Sequence, residues 1–411
     1  MASRREGLQI HVGGKAAVAL FALSLVGFVT ESQLTQYVQT NLEYRQPYFI
    51  FYIVHSSFAI MLPLHLAFLA MTTRQYPREL WILLISALRQ HLSPARIRPA
   101  EFPRRRFAWL LTFLTIGATM PGLLWFIAVS LAPVTDITAL WNTNAFFAYL
   151  LSVRIFKLKW EPVRLAAVIL ATVGATVVVY GGSGSSPDAP EAASHAGANN
   201  RAPLAGDLLS LLASILYGVY QVLYKLYAAL PTDPEELLDA EPPVDAYTRI
   251  PSDDELEEDV VAAVPEPSIV PPFGLYPNML TSFIGLCTFL VLWIPIPILH
   301  ILGISHFALP TSMGQILSIV GISLTGVMFN AGFMILLGIW GPIVTSVGSL
   351  LTIVMMFVSD IIFGGAAGTV TVWSLLGSGA IVIAFGVLAY DMVKRKHLPP
   401  GLHARQPSVA P

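Results

Sequence analysis

The sequence predicts an all-α integral membrane protein: ten transmembrane helices in two inverted five-helix repeats, with both termini cytoplasmic. Three observations predict it. Of 411 residues, 55% are hydrophobic and only 12% are charged, whereas a soluble globular chain carries about a quarter charged residues. Mean hydropathy is +0.68. The apolar residues gather into stretches near the ~20 residues that a helix needs to cross a bilayer. Between these stretches, Lys and Arg fall on alternate sides.

Taken in order, the expected spans are Ala16–Leu34, Tyr48–Met71, Phe107–Leu131, Thr135–Val153, Val163–Gly181, Gly206–Ala228, Tyr276–Leu302, Gln315–Leu337, Pro342–Phe363 and Val370–Met392. Arg4 and Arg5 precede the first, which reads as an uncleaved span rather than a signal peptide, since no small-residue cleavage site follows. That span turns polar after Thr30. With the N-terminus in the cytoplasm, 21 of the 23 Lys and Arg fall in cytoplasmic segments, and only Arg45 and Arg201 lie on the other side. Short cytoplasmic loops carry this excess, and a missed or invented span would scramble the alternation from that point on.

The chain divides accordingly. Residues 1–181 form the first five-helix repeat and 182–205 a Gly/Ser/Ala/Asn-rich flexible loop on the non-cytoplasmic side. Residues 206–392 form the second repeat, interrupted by a cytoplasmic loop at 231–272. Thirteen of the 25 acids lie between Asp233 and Glu266 in that loop, which is Pro-rich, poor in aromatics and expected to be disordered. Residues 393–411 are a disordered cytoplasmic tail. Between Glu79 and Phe107 an Arg- and Pro-rich stretch begins with the apolar patch Leu80-Trp81-Ile82-Leu83-Leu84. It fits an interfacial helix or a plain basic loop.

A shift of 210 aligns Thr135-Asp136-Ile137-Thr138-Ala139-Leu140 with Thr345-Ser346-Val347-Gly348-Ser349-Leu350, and Gly122 with Gly332. A shift of 190 places Ser24 on Ser214 and Glu31 on Gln221. Five is odd, so two like halves insert with opposite orientation, and inverted repeats place a substrate site near the midplane between them.

Polar groups inside spans are costly unless they are paired or face water, so each is a site candidate. Glu31 lies late in the first span, as a cation or proton site or at the headgroups. His55 is set in the second span, to bind substrate, relay protons or bond between helices. Thr138, Asn142 and Tyr149 share a helical face of the fourth span, with Trp141 and Asn144 widening the stripe. This is a cavity wall or a helix–helix seam. Asp136, after Pro133, reads as a helix cap. Tyr217, Gln221 and Tyr224 step along the sixth span beside Lys225, a snorkelling position. Ser346 and Ser349 flank Gly348 on the ninth. The candidate substrate-binding set is Glu31, His55, Thr138, Trp141, Asn142, Tyr149, Tyr217, Gln221 and Ser346. No catalytic constellation, cofactor motif or nucleic-acid signature is present, and the single cysteine, Cys287, permits neither an intrachain disulfide nor a metal cluster. The chain is read as not an enzyme.

The segment Ala132-Pro-Val-Thr-Asp-Ile-Thr-Ala-Leu, with the following Leu-Leu-Ser-x-x-Ile-Phe-Lys-Leu-Lys-Trp, resembles the drug/metabolite transporter superfamily with EamA-type repeats, specifically solute carrier 35 subfamily F. Leu34-Thr-Gln-Tyr, Gln46-Pro-Tyr-Phe and the stretch from Gly206 to Leu226 carry the same resemblance. It implies a secondary transporter of a small polar metabolite, thiamine-like or nucleotide-linked, working by alternating access. The chain lacks the Gly-Ala-Leu-Asn-Lys signature of GDP-mannose carriers, and Phe329-Asn330 is only a fragment of their Phe-Tyr-Asn-Asn motif. The rival reading is a non-transporting polytopic protein, a receptor or assembly factor. Expected partners are the lipid bilayer, a small-molecule substrate, a sorting adaptor at Asp233-Pro-Glu-Glu-Leu-Leu238 and a second copy of the chain as a homodimer. That acidic dileucine points to a vacuolar or other endomembrane location.

Overall fold

The computed structural model describes residues 15–73, 76–93, 102–132, 134–157, 160–180, 203–230, 271–303, 306–363 and 372–396. Among these, the regular structure is all helical. The long loops, the tail, the dileucine and the side chains of Thr135 and Asp136 lie outside the described residues.

The helices are α1 (Lys15–Thr40), α2 (Pro47–Ser57), α3 (Met61–Thr73), α4 (Pro77–Leu92), α5 (Arg104–Val129), α6 (Val134–Asn142), α7 (Asn144–Ile155) and α8 (Pro162–Tyr180). The second half supplies α9 (Pro203–Tyr227), α10 (Leu275–Val291), α11 (Pro295–Ile301), α12 (Met313–Ser349), α13 (Leu351–Phe363) and α14 (Val372–Lys396). Six described stretches are long and apolar enough to cross a membrane, and they begin at Ala16, Pro47, Arg104, Leu204, Leu275 and Met313. Two shorter apolar helices are Pro162–Val177 and Leu375–Asp391. Six is fewer than the ten expected because the fourth expected stretch is broken after Asn142, the eighth and ninth run together through α12, and the fifth and tenth are represented by the two shorter helices.

α12 is not a straight rod. Gly341 has φ +75°, a left-handed conformation that glycine adopts without a Cβ penalty, and Pro342 follows at the start of the next helical turn. Thr345 Oγ1 donates to the Leu336 carbonyl at 3.3 Å, whereas nine residues of straight helix would separate the two by about 13 Å. The chain therefore bends sharply at Gly341. Lys225 Nζ donates to the Gly338 carbonyl, near the bend, at 3.0 Å.

Core and surface are arranged as a lipid solvent requires. Large apolar side chains point outward along the helices, such as Leu317, Val320 and Leu324 on α12 and Phe289 and Leu290 on α10. The interior holds small and polar residues, including Ser24, Ser32, Thr35, Ser210 and Ser214, the composition that lets helices approach in the absence of a hydrophobic drive between them. α1 packs along α12, α5 along α9, α8 along α14, and α2 on α10. Between α2 and α3 the chain passes through a single 3-10 turn at Phe58–Ile60, and Gly285 of α10 seats directly on it. Ser282 donates to the Ala59 carbonyl at 2.5 Å and accepts from Leu62 N at 3.3 Å, so α10 satisfies backbone groups that the turn releases. The Leu80–Leu84 patch lies on a helix, α4, which buries Leu80, Leu84, Ala87 and Leu88 at helical spacing and packs on α3.

Candidate functional site

The site is built where two broken helices meet. α6 ends at Asn142 and α7 restarts at Asn144; α12 ends at Ser349 and α13 restarts at Leu351. Asn and Ser compete for backbone groups within helices, which is why helices bend or stop at them. Asn142 Nδ2 donates to the Thr138 carbonyl at 2.9 Å, and Asn144 Nδ2 donates to the Trp141 carbonyl at 2.7 Å. Across the gap, Ser349 Oγ lies 3.2 Å from Asn142 Oδ1, so the two breaks touch.

α9 closes the ring. Gln221 Nε2 donates to Asn144 Oδ1 at 3.0 Å, and its Oε1 accepts from Ser346 Oγ, which also donates to the Pro342 carbonyl at 2.6 Å. Thr143 and Ser214 hydroxyls meet at 2.7 Å, and Ser210 donates to the Ile137 carbonyl at 2.8 Å. Asn142, Asn144, Gln221 and Ser346 are all buried. A polar relay thus runs through four helical segments, α6, α7, α9 and α12, in the apolar interior.

Against this relay lies a small pocket walled by Phe28, Trp141, Asn142, Tyr217, Phe329 and Ser349. Trp141 stacks on Tyr217 with centroids 4.6 Å apart, and Phe28 meets Phe329 at 4.9 Å. Phe333 completes the wall, 5.7 Å from Tyr217. The space totals about 200 Å³ and is divided too finely for a water-sized sphere to fit. The rings would have to separate to admit a solute.

The sequence candidates divide accordingly. Trp141, Asn142, Tyr217, Gln221 and Ser346 come together. Thr138 is buried beside them, and its hydroxyl has no partner. Glu31 is buried one turn along α1 from the pocket residue Phe28. Tyr149 stands apart: the break at Asn142–Asn144 interrupts the helical spacing, and its hydroxyl donates to the Glu161 carbonyl at 3.4 Å, with Trp160 nearby. His55 also stands apart, in a cage of Phe51, Phe58 and Phe126 with its Nδ1 unpartnered. Gly122 makes room for that ring, because a Cβ there would fall 2.6 Å from His55 Nε2. Sequence reasoning passed over Phe28, Phe329 and Phe333. Their one signal was spacing: Phe28 lies three residues before Glu31, and Phe329 and Phe333 lie four apart.

No protein-family model matches the chain, and no curated protein matches it. A solved structure described only as "Crystal structure of protein" is similar in fold, with a TM-score of 0.50 and 14% identity over 90% of this chain and 98% of that one. At that identity the likeness concerns the fold alone.

Proposed function

We propose that this chain is a secondary carrier of a small polar metabolite in an internal membrane, built of ten spans as two inverted five-helix repeats and working by alternating access. The observation that carries this reading is the meeting of two discontinuous helices, at Asn142–Asn144 and at Ser349–Leu351, beside a buried polar relay and an aromatic pocket. At both interruptions the backbone keeps its hydrogen bonds in the tighter i to i−3 pattern, Thr143 N to the Leu140 carbonyl and Leu350 N to the Val347 carbonyl, and discontinuous helices are where carriers of this architecture place their sites.

The packing supports the repeat. Exchanging the halves turns the α1–α12 contact into the α9–α5 contact, and both are extensive. The α7–α9 contact becomes α13–α1, and the α8–α14 and α2–α10 contacts map onto themselves. The sharp bend at Gly341 supports counting α12 and α13 as two spans rather than one. Two halves that contact each other through like surfaces can rock about a shared centre, which is what alternating access needs.

The test is reconstitution of the full chain in liposomes with a panel of labelled metabolites that includes thiamine and nucleotide sugars. The reading expects saturable uptake or counterflow of at least one class. Absence of any saturable flux from folded protein overturns it in favour of a receptor or assembly factor.

A further inference from the structure

From Arg74 to Arg106 the chain carries eight arginines, no lysine and two acids. Keeping a loop in the cytoplasm is served by lysine as well as by arginine. Other basic segments use both, as at Lys157 and Lys159 or at Lys394-Arg395-Lys396. Arginine differs from lysine in its planar fork, which holds a phosphate through two parallel hydrogen bonds.

The fold gathers these arginines. α4 turns its Leu80–Leu84–Leu88 stripe inward, which leaves Trp81, Ile82 and Arg89 exposed. Arg106, at the start of α5, donates from Nη1 to the Leu92 carbonyl at the end of α4, at 2.9 Å. That bond sets the end of one helix against the start of the other. Arg89, one turn before Leu92, therefore shares a patch with Arg104 and Arg105. All three are exposed, and among the described residues none of them pairs with an acid. Of the two acids, Glu79 is ten residues from Arg89, about 15 Å along α4, and Glu101 lies outside the described residues. Helix stability does not account for the placement, because positive side chains in a first turn oppose the helix dipole.

Aromatic rings set the depth of the patch. Trp109, 73% exposed, lies four residues after Arg105 on the same face of α5, with Phe113 and Ile116 exposed beyond it. Tryptophan collects at the membrane interface. Arg105 is one turn further out, about 6 Å, at the level of lipid phosphates. Trp81 is the matching exposed ring on α4.

We propose that Arg89, Arg104 and Arg105 form a docking surface for the headgroup of an anionic phospholipid, with Trp81 and Trp109 seated at the headgroup–acyl boundary beside it. The proposal needs only a membrane-embedded chain and is independent of what the central pocket carries.

The experiment uses the full-length protein in a neutral detergent with phosphatidylserine, phosphatidic acid or phosphatidylcholine of the same acyl chains. Lipid retained per protein is counted by native mass spectrometry, and thermal unfolding is followed on the same samples. At least one anionic lipid is expected to be retained about tenfold or more over phosphatidylcholine at low salt and to raise the melting temperature. Combining Arg89→Gln, Arg104→Gln and Arg105→Gln should remove most of that preference. Combining Lys394→Gln, Arg395→Gln and Lys396→Gln deletes the same charge elsewhere and should keep it. If the arginine triple variant does not fold, Arg89→Gln supplies the comparison and should weaken the preference several-fold. Equal retention of anionic and zwitterionic lipid, a preference unchanged in the arginine variants, or equal loss in the two triple variants overturns the docking surface. Stabilisation by inorganic phosphate that matches that of the lipids shows a soluble-anion site and overturns the lipid as its occupant.

Discussion

Gly285 tests how closely α10 packs on the turn between α2 and α3. It sits on α10 against the 3-10 turn between α2 and α3. A Cβ added there would lie 2.7 Å from the Phe58 carbonyl carbon and 2.9 Å from Phe58 Cβ, with Ala59 N closer still. Carbon contacts settle at about 3.5–4.0 Å, so α10 would have to withdraw by close to an ångström. The obstacle is mostly backbone, which cannot rotate away. Overpacking of this kind costs about 1–3 kcal/mol. Withdrawal also stretches both Ser282 bonds, to the Ala59 carbonyl and from Leu62 N, and polar contacts between membrane helices average about 0.6 kcal/mol each. Gly285→Ala should therefore destabilise the protein by about 2–4 kcal/mol. The assay is thermal unfolding in detergent, with Gly386→Ala as the control. Gly386 lies inside α14 with no atom within 4 Å of an added Cβ, so that change should be neutral or gain up to about 1 kcal/mol of helix propensity. If the two variants melt alike, the close approach of α10 to the turn is wrong.

Three further outcomes follow from the same geometry. Asn142→Ala removes the bonds to the Thr138 carbonyl and Ser349; it should cost only about 1–2 kcal/mol by thermal unfolding while lowering uptake about tenfold or more. Leu84→Ala, in the fully buried stripe of α4, should cost about 2–5 kcal/mol, and equal stability to wild type would show α4 detached from the bundle. Arg164 joins α8 to α14 through Asp391 at 2.8 Å and also pairs with Glu161 at 3.1 Å, all three partly exposed. Arg164→Ala should cost under about 1 kcal/mol in low salt, and the difference should shrink in ~1 M salt, where screening acts over about 3 Å.

Against the ten stretches that hydropathy marks, the described helices give six that are long and apolar enough to cross a membrane. The patch at Leu80 shows where sequence stopped: an amphipathic helix and a basic loop fit the residues equally, and burial of Leu80, Leu84 and Leu88 decides for the helix. Tyr149 shows a subtler limit. Its grouping with Asn142 assumed unbroken helical spacing, and Asn142 and Asn144 themselves end that spacing by turning to backbone carbonyls. The aromatic wall was invisible for another reason. Phe28, Phe329 and Phe333 sit in apolar runs where a ring facing a pocket and a ring facing lipid look the same.

What the sequence determined by itself is the helical elements and an apolar character compatible with a multi-pass membrane protein. Apolar runs near bilayer length must be helical because no water is present to satisfy a backbone in any other form, and the few polar residues within them stand out because each is costly there. What only the tertiary structure decided is which of those residues meet. Asn142 finds Ser349, Gln221 joins Asn144 to Ser346, and Glu31 comes to rest on Gly326 beside the rings. These pairs are separated by tens to hundreds of positions. Their contact depends on where two helices break and on glycines that let backbones close, which helical periodicity within any one span does not encode.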